Sequence, residues 1–132
     1  MTIDDFLVSP NITILEAMEV INKNAKGIVF ISNANRLVGT VTDGDIRRYI
    51  LKKGDLSDRV MKITNCNTVW LGIETEQQAT QIMSRNSISA VPILNCNKEI
   101  VRIYFADGEM VGNEEKNAIL NVPLVIMAGG KG

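Results

Sequence analysis

Laid on itself with a shift of 62 residues and no gaps, the chain pairs residues 13–45 with 75–107. Thr13 meets Thr75, Ala17 meets Ala79, Asn24 meets Asn86 and Val29 meets Val91. Farther on, Ile31 meets Ile93, Asn33 meets Asn95, Asn35 meets Asn97 and Asp45 meets Asp107. These are 8 identities in 33 positions, where unrelated segments of this composition would give roughly 2. Similar pairs run alongside, among them Glu16 with Gln78, Val38 with Ile100 and Val41 with Ile103. A unit of about 60 residues buries too little surface to stand comfortably alone. A tandem duplication therefore requires the two copies to cover each other.

Each copy reads alike. Thr13-x-x-Glu16 and Thr75-x-x-Gln78 have the spacing of capping boxes and predict helix starts. Ile14, Met18, Ile21 and Ala25 then follow the period of a buried helical stripe, as do Ala79, Ile82, Met83 and Asn86. A strand is predicted over Gly27–Ile31 and again over Ala90–Leu94, then an asparagine-rich turn at 33–35 and 95–97. Second strands follow over Leu37–Val41 and Ile100–Phe105, and short extended pieces at Phe6–Val8 and Thr68–Leu71 lead each copy. Trp70, in the second of these, reads as a core or interface residue.

The stretch Gly39-Thr40-Val41-Thr42-Asp43-Gly44-Asp45 ends a strand and opens a helix. A helix N-terminus carries unpaired N–H groups and partial positive charge, which suits a phosphate. Asp45 could accept from a ribose diol, and Arg47 and Arg48 could add charge for phosphates. Thr42-x-x-Asp45 equally fits a capping box that binds nothing. At the other end, Val122–Ala128 is an apolar strand pattern running into Gly129-Gly130-Lys131-Gly132, and residues 112–120 between are polar and charged.

These motifs resemble a tandem pair of cystathionine-β-synthase (CBS) domains, the Bateman module. The likeness covers residues 6 to 110 and rests on the Gly39–Asp45 motif and the repeat. It implies an α/β (α+β) fold of two βαββα repeats packed sheet to sheet. The first repeat with its connection would take residues 1–62, and the second 63–111, with a degenerate closing helix. The resemblance also implies nucleotide binding, with the Thr42 hydroxyl and the Asp45 carboxylate on ribose and phosphate. Base contacts would come from the backbone at Ile12, Lys26, Gly27 and Ile28. A degenerate second site would fall at Ile88, Ser89, Tyr104 and Asp107, where Tyr104 replaces Thr42 and Val101 replaces Gly39. A shifted register would place Ala106 and Glu109 at the threonine and aspartate positions; neither register restores the threonine.

The tail resembles the opening of sugar-phosphate nucleotidyltransferases of the mannose-1-phosphate guanylyltransferase kind. That implies a linker at 112–121, and at 122–132 the first strand and glycine-rich loop of a truncated catalytic domain. The chain would then be the non-catalytic regulatory module of such an enzyme, needing no cofactor and sensing an adenine nucleotide (AMP, ADP or ATP), with a guanine nucleotide as second candidate. Its partners would be that nucleotide, its own nucleotidyltransferase domain and a second copy of itself. A scaffold that only dimerises the enzyme stays open as the alternative.

Composition narrows the field. A net charge of −1 supplies no basic field for nucleic acid. The absence of histidine removes Ser-His and Cys-His catalysis and the commonest zinc ligand, and no nucleophile–base pair or metal cluster is visible. The longest apolar run, 122–128, is too short to span a bilayer, and Asp4 and Asp5 stand where a signal peptide carries positive charge. The expectation is a cytoplasmic protein without membrane contact. Cys66 and Cys96, flanked by asparagines, read as ordinary thiols.

Overall fold

The computed structural model describes residues 1–112. The first repeat consists of β1 (Leu7–Val8), α1 (Ile14–Asn24), β2 (Ile28–Asn33), β3 (Arg36–Thr42) and α2 (Asp43–Leu51). The second consists of β4 (Leu71–Gly72), α3 (Ala79–Asn86), β5 (Ala90–Leu94), β6 (Ile100–Phe105) and β7 (Met110–Gly112). Each forms its own sheet, in the orders β1-β2-β3 and β4-β5-β6-β7. The leading strand runs parallel to its neighbour and the remaining pairs are antiparallel.

The sheets pack face to face, as the duplication requires. Phe6, Ile28 and Phe30 from the first repeat meet Ala90, Leu94, Ile100, Ile103 and Phe105 from the second in one buried cluster. On its outer face the first sheet lies under α1 and α2, with Ile14, Ala17, Ile21 and Ile46 against Val29, Ile31 and Val41. Covered on both sides, β2 is a continuous apolar run from Ile28 to Ile31 with no alternation. The second sheet carries α3 through Ala79 and Met83 over Val91.

Thr13 caps α1 by the expected box: its hydroxyl accepts from the Glu16 N–H, and the Glu16 carboxylate accepts from the Thr13 N–H. The buried stripe is turned by a residue from the one expected. Ala17 and Asn24 are buried with Ile14 and Ile21, whereas Met18 is half-buried and Ala25 lies past the helix end at φ 59°. Asn24 tolerates burial because its amide donates to the Asp5 and Ile28 carbonyls and its oxygen accepts from the Lys26 N–H.

The second copy departs in three places. Thr75 caps nothing; it lies inside a 3-10 turn over Ile73–Gln78, with its hydroxyl donating to the Gly72 carbonyl at 3.2 Å. Asn86, expected on the buried stripe of α3, is exposed. Where the first repeat closes with α2, the second turns back at Gly108, φ 95°, and pairs β7 with β6. The closing helix is replaced by a hairpin because Gly108 takes a left-handed turn and Val111 suits a strand. The segments expected as linker and nucleotidyltransferase opening lie, beyond Gly112, outside the described residues.

Two further corrections concern register and Trp70. The Asp43 N–H donates to the Gly27 carbonyl, and the matching bond joins Ala106 to Ser89. Gly27 and Ser89 differ by 62, but Asp43 and Ala106 differ by 63, so the turn after Asn95 holds one extra residue. Ile31 faces Gly39 and Ile93 faces Arg102, in agreement. Phe105 thus answers to Thr42, Ile103 to Thr40 and Gly108 to Asp45. Trp70 is 41% exposed, with the Lys98 ammonium 4.6 Å from its ring centroid, and is no core residue.

Candidate functional site

Thr42 is the last residue of β3 and the cap of α2. Its hydroxyl accepts from the Asp45 N–H at 3.2 Å, and Asp45 Oδ2 accepts from the Thr42 N–H at 3.0 Å. The capping box is therefore formed. Asp45 Oδ1 also takes the Arg48 guanidinium at 2.5 Å. A carboxylate offers about four acceptor positions, so these bonds leave capacity for a ligand.

What distinguishes this cap from an ordinary one is the space in front of it. Thr42 and Asp45 line a cavity of about 280 Å³ together with Ile28 and Thr40 of the first sheet. The connecting segment adds Asn65 and Asn67, and the second repeat closes the far side with Thr68, Val69 and residues 87–90. Gly39 lets the connection cross so near: a Cβ there would stand 2.5 Å from the Asn65 carbonyl oxygen. The Asn65 and Thr40 backbones exchange both hydrogen bonds, at 2.9 and 3.0 Å, which fixes that wall.

The expected site residues sort differently from the sequence expectation. Of the residues assigned to the first site, Ile28, Thr42 and Asp45 line the cavity, and Arg48 reaches its rim through Asp45. Ile12 instead packs against the core beneath the helices, its carbonyl accepting from Val60 N–H. Gly27 and Arg47 line a separate groove between α1 and α2. Ile88 and Ser89, expected in the second site, join Thr42 and Asp45. The partner wall of each motif comes from the opposite repeat, because the sheets pack reciprocally.

Thr40, Asn65, Asn67, Thr68, Val69, Ser87 and Ala90 were not anticipated in the sequence. The signal for Ser87–Ala90 was the repeat itself, read across the two copies instead of within one.

The counterpart on the other side also holds a cavity, of about 540 Å³ with Phe6, Lys26 and Glu109 in its lining, but no Thr–Asp helix cap faces it. Phe105, in the place of Thr42, packs on Phe6 with centroids 5.0 Å apart. Lys26 lies 5.1 Å from the Phe105 ring centroid and pairs with both Asp107 and Glu109 at 2.5 Å. Hydrogen bonding to Asp107, then to Glu109, raises the Lys26 pKa above its ordinary 10.5. The same bond to Lys26 holds Asp107 below the usual 3.8. Tyr104 is remote from both, on the outer face of β6. Its hydroxyl donates to Glu76, which also grips buried Arg102 at 2.9 and 2.5 Å. Burial first, then the Glu76 hydrogen bond, pushes the Tyr104 pKa up to about 12. Ile88, Ser89, Tyr104 and Asp107 thus form no common site.

The architecture is a two-repeat α+β module with a cavity on each side of its sheet interface, of which the Thr42–Asp45 helix cap lines one. Residues 1–52 match the family model described as CBS domain, and the fold is that of CBS-domain pairs. The CBS domain protein PAE2072 from Pyrobaculum aerophilum, complexed with AMP, is 27% identical, with 76% of this chain and 79% of that chain covered and a TM-score of 0.69. The CBS domain pair of protein MJ0100, in complex with 5-methylthioadenosine and S-adenosyl-L-methionine, is 21% identical, with coverage of 81% and 94% and a TM-score of 0.67. A 17.7 kDa protein of Acidianus ambivalens is 31% identical over 100 residues, 74% of this chain. The chain spans 60% of that relative's length. Among the described residues no helix is long and apolar enough to cross a membrane.

Proposed function

We propose that this chain is a regulatory module that binds one adenine nucleotide in the cleft between its repeats and passes no chemistry of its own. One observation carries this reading: the Thr42–Asp45 cap of the first repeat faces residues 87–90 of the second across a single cavity. A ligand there would touch both halves and favour the arrangement that fits it, which is the physical content of sensing. PAE2072 with AMP and MJ0100 with methylthioadenosine and S-adenosylmethionine support adenosine as the common element. A guanine nucleotide is the second candidate.

The test is a thermal-shift series with AMP, ADP, ATP, GMP and GTP on the whole chain. A ligand at about 100 times its Kd adds about 2.7 kcal/mol to stability. That shift should vanish in Asp45→Ala. No shift with any of them would remove the reading and leave the scaffold, which the mutual satisfaction of Thr42 and Asp45 favours.

Two attachments belong to the same proposal. The glycine-rich motif at 129–132 supports a nucleotidyltransferase as the regulated partner. The groove between α1 and α2, with Leu15 and Ile50 half exposed, supports self-association through the first repeat. Sedimentation equilibrium of wild type against Leu15→Glu/Ile50→Glu tests the second; a monomeric wild type would overturn it.

A further inference from the structure

We infer that Thr40 is a specificity-determining residue of the cleft, and that the cleft selects a nucleoside or nucleoside monophosphate over di- and triphosphates. This rests on the nucleotide reading above and sharpens it.

Thr40 lies two residues before Thr42 on β3, so both hydroxyls stand on one face of the strand while Val41 turns toward the helices. Thr40 is only 7% exposed and lines the cavity. Its N–H and carbonyl are both committed to Asn65. Its hydroxyl has no partner among the described residues, although Thr42, Asn65 and Ser89 line the same space. A buried hydroxyl without a partner is costly, and the cost is recovered by a ligand that offers one. The second repeat shows that the fold does not need the hydroxyl: Ile103 holds the equivalent place, fully buried. The polar atom thus belongs to the Thr42–Asp45 cleft and has no counterpart at the equivalent strand position of the second repeat.

Charge sets the second half. Among the described residues lining the cavity, Asp45 is the one charged side chain. The cation nearest it is Arg48, two-thirds exposed and bound to Asp45. One guanidinium beside one helix N-terminus suits a single phosphate. A chain of two or three phosphates would bring further negative charge toward Asp45 with nothing to meet it. The volume, about 280 Å³, falls at the small end of ligand sites.

The experiment is isothermal titration of the whole chain with adenosine, AMP, ADP and ATP, without magnesium, on wild type, Thr40→Val and Thr40→Ser. The expected result is adenosine or AMP at least about tenfold tighter than ATP, as one unmet charge pair would give. Thr40→Val should weaken the best ligand about fivefold, the worth of one neutral hydrogen bond, and Thr40→Ser should restore most of it. The unliganded melting temperature of Thr40→Val should be equal to or above wild type, which shows that the loss is in binding and not in folding. ATP binding as tightly as AMP would overturn the charge argument, and equal affinity in Thr40→Val would overturn the role of Thr40; both leave the nucleotide reading standing. Binding of none of the four would overturn the adenine-nucleotide reading and this inference with it.

Discussion

The two repeats descend from one pattern and end as opposites. The first closes with α2, whose capped N-terminus opens onto a cavity. The second closes with a hairpin, and the matching cavity is bordered by Phe6 and by the Lys26 pair to Asp107 and Glu109, with Phe105 in the place of Thr42. A helix start offers orphan donors that something else must satisfy; a hairpin satisfies its own. Where Gly39 stands in the first sheet, Arg102 stands in the second, tied to Glu76 and Tyr104. The lesson is that a duplicated site can keep its space and lose its chemistry: replacing the capped helix by a hairpin leaves a cavity with no helix N-terminus to face it.

The sharpest way to break the contrast is to remove the ring that replaces Thr42 in the second repeat. Phe105→Ala should cost about 4 kcal/mol in urea denaturation, since a buried aromatic ring at the junction of the sheets leaves a cavity. Phe105 is 4% exposed, so little of the ring is already in water. A loss under 1 kcal/mol would show that this side is not packed as described.

Glu76→Ala comes next. It takes the carboxylate from a guanidinium that is 3% exposed, and the expected loss is about 3 kcal/mol, the low end for breaking a buried pair because Glu76 is itself partly solvated. In alkaline ultraviolet titration the same variant should bring the Tyr104 ionisation down from about 12, though not fully to its ordinary 10, since the Glu76 hydrogen bond is gone while burial, the larger cause, stays.

On the Thr42 side the stability effect is smaller and the binding effect larger. Thr42→Ala removes one half of a capping box and should cost about 1 kcal/mol, with nucleotide affinity falling at least about tenfold. A stability loss with affinity intact would assign Thr42 to the cap alone.

The smallest effect tests the clamp by pH. Asp107 sits below its ordinary value, so its contribution is full above about pH 4 and is lost as pH falls through the folded value. Lys26 sits above its ordinary value, so its contribution is full below 10.5 and is lost as pH rises through the folded value. The difference in melting temperature between wild type and Lys26→Met should be a plateau between those limits that narrows on both sides. Exposure keeps it modest.

Much of the fold was legible because it was written twice. The strands β5 and β6 begin and end where the apolar runs do, and Thr13-x-x-Glu16 marked α1 by local chemistry alone. What failed had physical reasons. Thr75 has the capping pattern, but the 3-10 turn it sits in places Glu76 on Arg102, a contact 26 residues away that no local rule weighs. The ungapped alignment hid the extra residue after Asn95, so Asp107 seemed to stand for Asp45 when Gly108 does. Thr42 and Asp45 could be named as a candidate pair from their spacing. Their far wall could not, since Ser87–Ala90 reach them only through sheet packing across the repeats.

The Lys26 clamp has a mechanical meaning. It joins residues 81 apart across the sheet interface. The repeats are tied a second time at their strand turns, where the Leu37 N–H donates to the Lys98 carbonyl and the Ile100 N–H to the Asn35 carbonyl. Two fastenings at separate places resist a swing about either one, so the halves would answer a ligand as a single braced frame, and any give would fall to α2 and the segment that crosses Gly39.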